Sequence, residues 1–204
     1  GQYNSAFGMQ ALQANTTADN NTAVGYQALY SNTAANNAAV GYKAMYSNTS
    51  GTTNVALGFT LQANTTGSEN SAVGWAALYS NTTGSYNTAV GRSALLLNTT
   101  ADNNTAVGKD AMYANTTGTA NVGLGKDALA SNTTGVESTA VGYQAGFLNT
   151  TGRITAMGRH ALRSNTTAVE NTGIGYRALR DTTTGAKNTA VGGDALISNT
   201  TGYN

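Results

Sequence analysis

Asn21-Thr22-Ala23-Val24-Gly25-Tyr26-Gln27-Ala28-Leu29-Tyr30-Ser31-Asn32 decides the fold, because the chain keeps returning to it, as at Asn87-Thr88-Ala89-Val90-Gly91. Its glycine recurs as Gly8, Gly25, Gly41, Gly58, Gly74, Gly91, Gly108, Gly125, Gly142, Gly158, Gly175 and Gly192, always 16 or 17 residues apart. Paired-helix repeats and propeller blades need roughly 33 to 50 residues, whereas this period suits one coil of a β-helix. Within each unit the glycine, the β-branched residues and an Asn-Thr-Thr-Gly punctuation leave two runs long enough to be strands, Thr22 to Val24 and Ala28 to Tyr30 in the second unit. The expected architecture is all-β: a parallel β-solenoid (β-roll) of about twelve 16–17-residue coils, one repeat array over residues 1–204. At the usual strand spacing it spans about 57 Å.

Working outward, the composition agrees. Only 9% of residues are charged, there are 25 glycines, and neither Pro nor Cys occurs. A net charge of +1 with 40% hydrophobic residues is repetition rather than disorder, which needs high net charge or few apolar residues. Without cysteine there is no disulfide and no thiolate metal site. No apolar run of about 18 residues and no charged-then-apolar leader occurs, so no membrane span or export signal is expected within the stretch. Both termini fall inside the repeat phase, as in a segment of a longer fibrous chain.

Two apolar columns are expected to build the core. The residue before the glycine is Phe7, Val24, Val40, Leu57 and so on to Ile174 and Val191, and the residue four after it is Leu12, Leu29, Met45 and so on to Leu196, with Gly146 the exception. Two further columns are almost pure alanine, one running from Ala6 and Ala23 to Ala190 and the other from Ala11 and Ala28 to Ala195. Strand neighbours point to opposite faces, so these alanines are expected on the side away from the core. Restriction to Ala or Gly there implies close approach by another copy of the chain, favouring a homotrimer; the alternative is a narrow interior in which only Ala fits.

The recurring glycine is expected at φ > 0 in one corner, and Asn-Thr-Thr-Gly forms the other. Its asparagines, from Asn15 and Asn32 to Asn199, are expected to stack as a ladder of amides. The fourth unit loses a residue between Gly58 and Asn64, which corner chemistry does not account for.

The Asn-Thr-Ala-Val-Gly string, with Asn70-Ser71-Ala72-Val73-Gly74, resembles the Asn-Ser-Val-Ala-Ile-Gly repeats of trimeric autotransporter adhesin heads, and is similar to repeats of phage tail-fibre shafts. The adhesin unit is shorter, the excess here lying in the Asn-Thr-Thr corner. The resemblance implies a left-handed parallel β-roll, three chains per rod, and adhesion to host surfaces from an extracellular, cell-surface or virion location.

No catalytic constellation is legible. His160 is the only histidine and shares a mixed, solvent-type column with Asp110, Asp127 and Asp194, which lie apart along the rod. Gly192-Gly193-Asp194 echoes calcium-binding β-roll motifs, but those must recur at successive turns and this occurs once. No enzyme activity and no cofactor or metal is expected. Three surface features remain. Tyr26, Tyr30, Tyr42, Tyr46, Phe59, Trp75 and Tyr79 form an aromatic stripe that either stacks on sugar rings or stiffens the sheet. Arg153, Arg159, Arg163, Arg177 and Arg180 form a basic patch for a host-surface glycan or lipopolysaccharide, too sparse at net +1 for nucleic acid. Asn15, Asn81, Asn98 and Asn132 match glycosylation acceptors, although turn chemistry suffices to explain them. The function expected is a structural and adhesive fibre segment; the alternative is an ice-binding solenoid presenting an Asn/Thr array.

Overall fold

Parallel strands joined by identical connections must advance by one strand spacing per repeat, and this chain does so throughout. A computed structural model describes residues 1–203. Its strands are β1 (Ser5–Phe7), β2 (Thr22–Val24), β3 (Ala38–Val40), β4 (Val55–Phe59), β5 (Ser71–Trp75), β6 (Thr88–Val90), β7 (Thr105–Val107), β8 (Val122–Leu124), β9 (Thr139–Val141), β10 (Ile154–Met157), β11 (Asn171–Ile174) and β12 (Thr189–Val191). They form one parallel sheet in chain order, the successive strands of a β-solenoid of about eleven turns. Register places like over like, with Thr88 on Thr105, Ala89 on Ala106 and Val90 on Val107. Among the described residues no helix is long and apolar enough to cross a membrane.

Inside and outside are partly reversed from the sequence expectation. The Leu/Met column is interior as expected, Leu29, Met45, Leu78 and Leu95 being fully buried. Both alanine columns are interior too: Ala23, Ala89 and Ala106 of one, and Ala28, Ala94 and Ala111 of the other, are at zero exposure. The column before the glycine faces out, with Val40 40%, Leu57 41%, Val90 37% and Met157 42% exposed. The size restriction on alanine was real, but the close neighbour is the Leu/Met column of the same chain. At Gly123, which interrupts the alanine column, even a methyl would lie 2.8 Å from Met112 Cγ, and at Gly173 one would lie 3.2 Å from Leu162 Cγ. The coil is thus too thin for two large columns, and the outward Val column varies in size because nothing inside limits it.

The second expected run, Ala28 to Tyr30, is not a strand. Gln27 and Leu29 sit at φ 55° and 51°, and the same left-handed positions recur at Lys43 and Met45, Asp110 and Met112, Asp127 and Leu129. Non-glycine residues there cost of order 1–2 kcal/mol each and persist only where surroundings fix them. Here the fixing comes from neighbouring coils: Gln27 N–H donates to Met9 C=O at 3.0 Å and Leu29 N–H to Ala44 C=O at 3.0 Å. The corner glycine does take positive φ, 132° at Gly91, and a Cβ there would lie 2.6 Å from Gly108 O. Stacked corners at this spacing leave no room for one.

Amides fill the rest of the interior. In the expected ladder, Asn81 Nδ2 donates to Asn64 Oδ1 at 2.8 Å and Asn98 Nδ2 to Asn81 Oδ1 at 2.8 Å, and each also donates to the carbonyl three residues on, Gly84 at 2.9 Å and Ala101 at 3.1 Å. A second ladder runs beside it. Asn87 N–H donates to Asn70 Oδ1 at 3.0 Å, Asn104 N–H to Asn87 Oδ1 at 3.0 Å, and Asn104 Nδ2 to Gly118 C=O at 2.9 Å. All of these asparagines are fully buried. A third row lies at the corner surface, where Thr65 Oγ1 donates to Thr82 C=O and Thr82 Oγ1 to Thr99 C=O, both at 3.0 Å. Apart from Asn188 Oδ1, these buried amides are hydrogen-bonded, the bonds along the ladders tying one coil to the next and those to the carbonyl three residues on bracing the corner within a coil.

Candidate functional site

Residues one, two and five after the corner glycine carry their side chains outward on one side of the rod, and there the structure assembles most of the predicted surface features. Tyr26 and Tyr42 stack with centroids 5.5 Å apart and planes 15° apart, and Tyr30 and Tyr46 with 5.0 Å and 10°. Phe59 bridges the two rows, 6.0 Å from Tyr42, 6.3 Å from Trp75 and 5.3 Å from Tyr79. Five of the seven predicted aromatics, Tyr26, Tyr42, Phe59, Trp75 and Tyr79, therefore form one chain of ring contacts, and Tyr30 and Tyr46 form a separate stacked pair beside it. Lys43 Nζ lies 5.5 Å and 5.4 Å from the ring centroids of Tyr42 and Tyr46, between the rows. Tyr42 and Trp75 remain more than half exposed, so cross-coil stacking still leaves ring surface for a partner.

The basic patch divides. Arg153 stands on a different column, five residues before the glycine, held by Glu137 and Glu170 at 3.0 Å each. Arg177 is bidentate to Asp194, at 2.7 and 2.8 Å, and Arg180 is bidentate to its neighbour Asp181, at 2.8 Å for both bonds. Those carboxylates hold Arg177 and Arg180 above the ordinary guanidinium range, and Arg180 holds Asp181 below that of a carboxylic acid. Among the described residues Arg159 and Arg163 make no ion pair. Arg159 lies over Tyr143 and Tyr176, 5.7 and 5.8 Å from their centroids; Arg163 lies 5.4 Å over Phe147 and donates from Nε to Gln144 Oε1 at 3.1 Å. Between them stands His160, 5.3 Å from the Tyr143 ring, with Nε2 enclosed and without a hydrogen-bond partner. Burial first, then the charges of Arg159, Arg163, Arg180 and Arg177, lower the basicity of His160. Tyr143, Gln144, Arg159, His160, Arg163, Arg180 and Asp181 together line a cavity of about 460 Å³ that is open to the surface.

The candidate glycosylation residues are interior. Asn81, Asn98 and Asn132 are fully buried with Nδ2 bonded twice, and half-buried Asn15 donates from Nδ2 to Ala18 C=O at 3.1 Å. A glycan on Nδ2 would have to replace those bonds. The Asn row of the suggested ice-facing array is interior for the same reason. Asp194 is occupied by Arg177, and among the described residues no group of His, Cys, Asp and Glu could hold a metal ion.

Sequence reasoning missed the second amide ladder, although its signal was plain: Asn21, Asn37, Asn54, Asn70, Asn87, Asn104 and Asn121 all stand four before the glycine. It also missed the carboxylates that neutralise Arg177 and Arg180, because Asp181 adjoins one partner and Asp194 is a full coil from the other. Compared with known proteins, the chain matches no family model, no curated protein and no solved structure.

Proposed function

We propose that this chain is a segment of a structural and adhesive fibre, a rod whose copies associate side by side and whose outer face meets a surface. What supports the reading most directly is the outward ladder in which Val40, Leu57, Val90, Val107, Met157 and Ile174 are more than a third exposed, with Val24, Val73, Leu124 and Val141 half-buried among them. A continuous apolar stripe on so elongated a molecule calls for a cover. A second copy of the chain is the partner whose own apolar rungs repeat at the same pitch over the whole length. The expected trimer thus acquires a different interface from the one alanine suggested: the Val rows pack, and alanine stays inside. Amide and hydroxyl ladders running along the axis suit a spacer, since every coil is hydrogen-bonded to the next through side chains as well as backbone.

Solution mass from light scattering tests it. A mass three times that of the chain, reduced to the monomer by Val90→Glu with Val107→Glu while the β-type circular dichroism is kept, is the expected result. A stable wild-type monomer overturns the assembly.

A further inference from the structure

We infer that the cavity between Arg159, His160 and Arg163 is a binding site for an acidic sugar, a pyranose ring carrying a carboxylate. The inference narrows the adhesive part of the reading above to one place and one ligand class, and so rests on it. Three observations carry it. First, of the three arginines lining the cavity Arg180 is bidentate to Asp181, as the adjacent Arg177 is to Asp194, whereas Arg159 and Arg163 pair with no carboxylate among the described residues. The cavity therefore keeps two cations whose partner is missing, and a guanidinium offers a carboxylate paired, planar donors. Second, His160 Nε2 is enclosed and unpartnered in a wall of the same cavity. The imidazole thus stands against the ligand space with its Nε2 closed off, so it senses charge placed beside it and serves as the reporter of binding without itself contacting the ligand. Third, Tyr143 and Tyr176 flank Arg159 and stay 37% and 44% exposed, giving flat apolar rings beside the charge. A sugar acid pairs an anion with a flat C–H face, which is the combination these walls offer; a bare inorganic anion would leave the rings unused. The groups facing His160 are Arg159, Arg163, Arg177, Arg180, Asp181 and Tyr143, so bound carboxylate would offset the cations that, after burial, lower the basicity of the imidazole.

His160 is the chain's only histidine, so its imidazole gives a single set of NMR signals to follow in the intact protein. Galacturonate is expected to shift those signals saturably and to raise the pH at which the ring titrates, with galactose at the same concentration doing neither. Arg159→Gln together with Arg163→Gln is expected to weaken galacturonate binding about tenfold or more, the scale of one lost charge-assisted hydrogen bond. Arg153→Gln, on the other column, should leave binding unchanged. Should the double variant lose its fold, by circular dichroism, Arg159→Lys serves instead, keeping the charge but losing the planar donors, with a smaller loss expected. The site is overturned if galacturonate produces no saturable shift, if galactose or inorganic phosphate shifts His160 as strongly, or if the arginine variants bind as the parent does. Solution mass measured on the same sample reports the rod assembly independently, so loss of the sugar site and loss of the fibre reading are told apart.

Discussion

The fourth coil and the ninth both break the repeat, and they break it in opposite ways. In the fourth, the residue two after the glycine is missing, so β4 and β5 pair on through Gly58 and Gly74 to Phe59 and Trp75, and Thr60 drops into the alanine column. Met45 N–H donates to Thr60 C=O at 3.1 Å, the bond that Ala44 accepts one coil earlier. Thr60 is fully buried and its hydroxyl has no partner. In the ninth, Gly146 replaces the large interior leucine and keeps the left-handed backbone at φ 58°. The space is filled from the adjoining column, where Ile154 stands in place of an asparagine and directs Cδ1 to 2.8 Å from where a Cβ on Gly146 would be. The amide ladder is then capped rather than cut: Asn121 Oδ1 accepts from Ser138 N–H at 2.9 Å, and Ser138 Oγ accepts from Ile154 N–H at 3.2 Å. One irregularity leaves a polar group stranded, and the other exchanges volume between two columns. A thin solenoid tolerates a missing core residue when its neighbour in space, not in sequence, is changed with it.

The comparison can be broken at the ninth coil first. Gly146→Leu alone overfills the coil against Ile154 and is expected to cost about 3 kcal/mol. Adding Ile154→Asn should return most of that, so the two sites show a coupling of about 1–3 kcal/mol in a denaturation double-mutant cycle. Additive effects would mean that the two residues do not share the space.

At the fourth coil the sign reverses. Thr60→Val keeps the shape and removes the stranded hydroxyl, so urea denaturation should show a gain of about 1 kcal/mol; a loss would show that the hydroxyl has a partner.

The smallest effect is expected at the cavity. His160 is harder to protonate in the fold than in the unfolded chain, so below the ordinary imidazole value of about 6.5 the unfolded state binds more protons and stability falls with pH. Melting temperature measured from pH 7 to pH 5 should decline more in the parent than in His160→Gln. Equal slopes would place the pH dependence elsewhere.

Much of this was legible beforehand. The period of the glycines and the Asn-Thr-Thr corner dictated stacked coils, because a residue type repeated at one place in every turn meets its own kind along the axis. The face on which each column lies was not legible from the strand, since alternation separates Ala89 from Val90 without saying which is inside. That depended on the opposite wall, where Leu95 and Met112 reach across, held there by left-handed backbone that a propensity for strand does not suggest. The aromatics were readable as columns, and only the coil stacking shows that Phe59 joins Tyr42 and Trp75 to Tyr79 while Tyr30 and Tyr46 pair by themselves. Spacing already sets Arg153, five before its glycine, on another column from the other four arginines, but it took the coil geometry to pair Arg177 and Arg180 with carboxylates and leave Arg159 and Arg163 without one among the described residues.

Hydrogen exchange of the asparagine side-chain amides, followed by NMR in the intact protein, tests most directly that each turn lies over the last with its amides inward. Asn64, Asn81, Asn98 and Asn115 are predicted to keep their Nδ2 protons until the whole chain unfolds. Exchange at the rate of free asparagine in the folded protein would contradict the stacked interior outright.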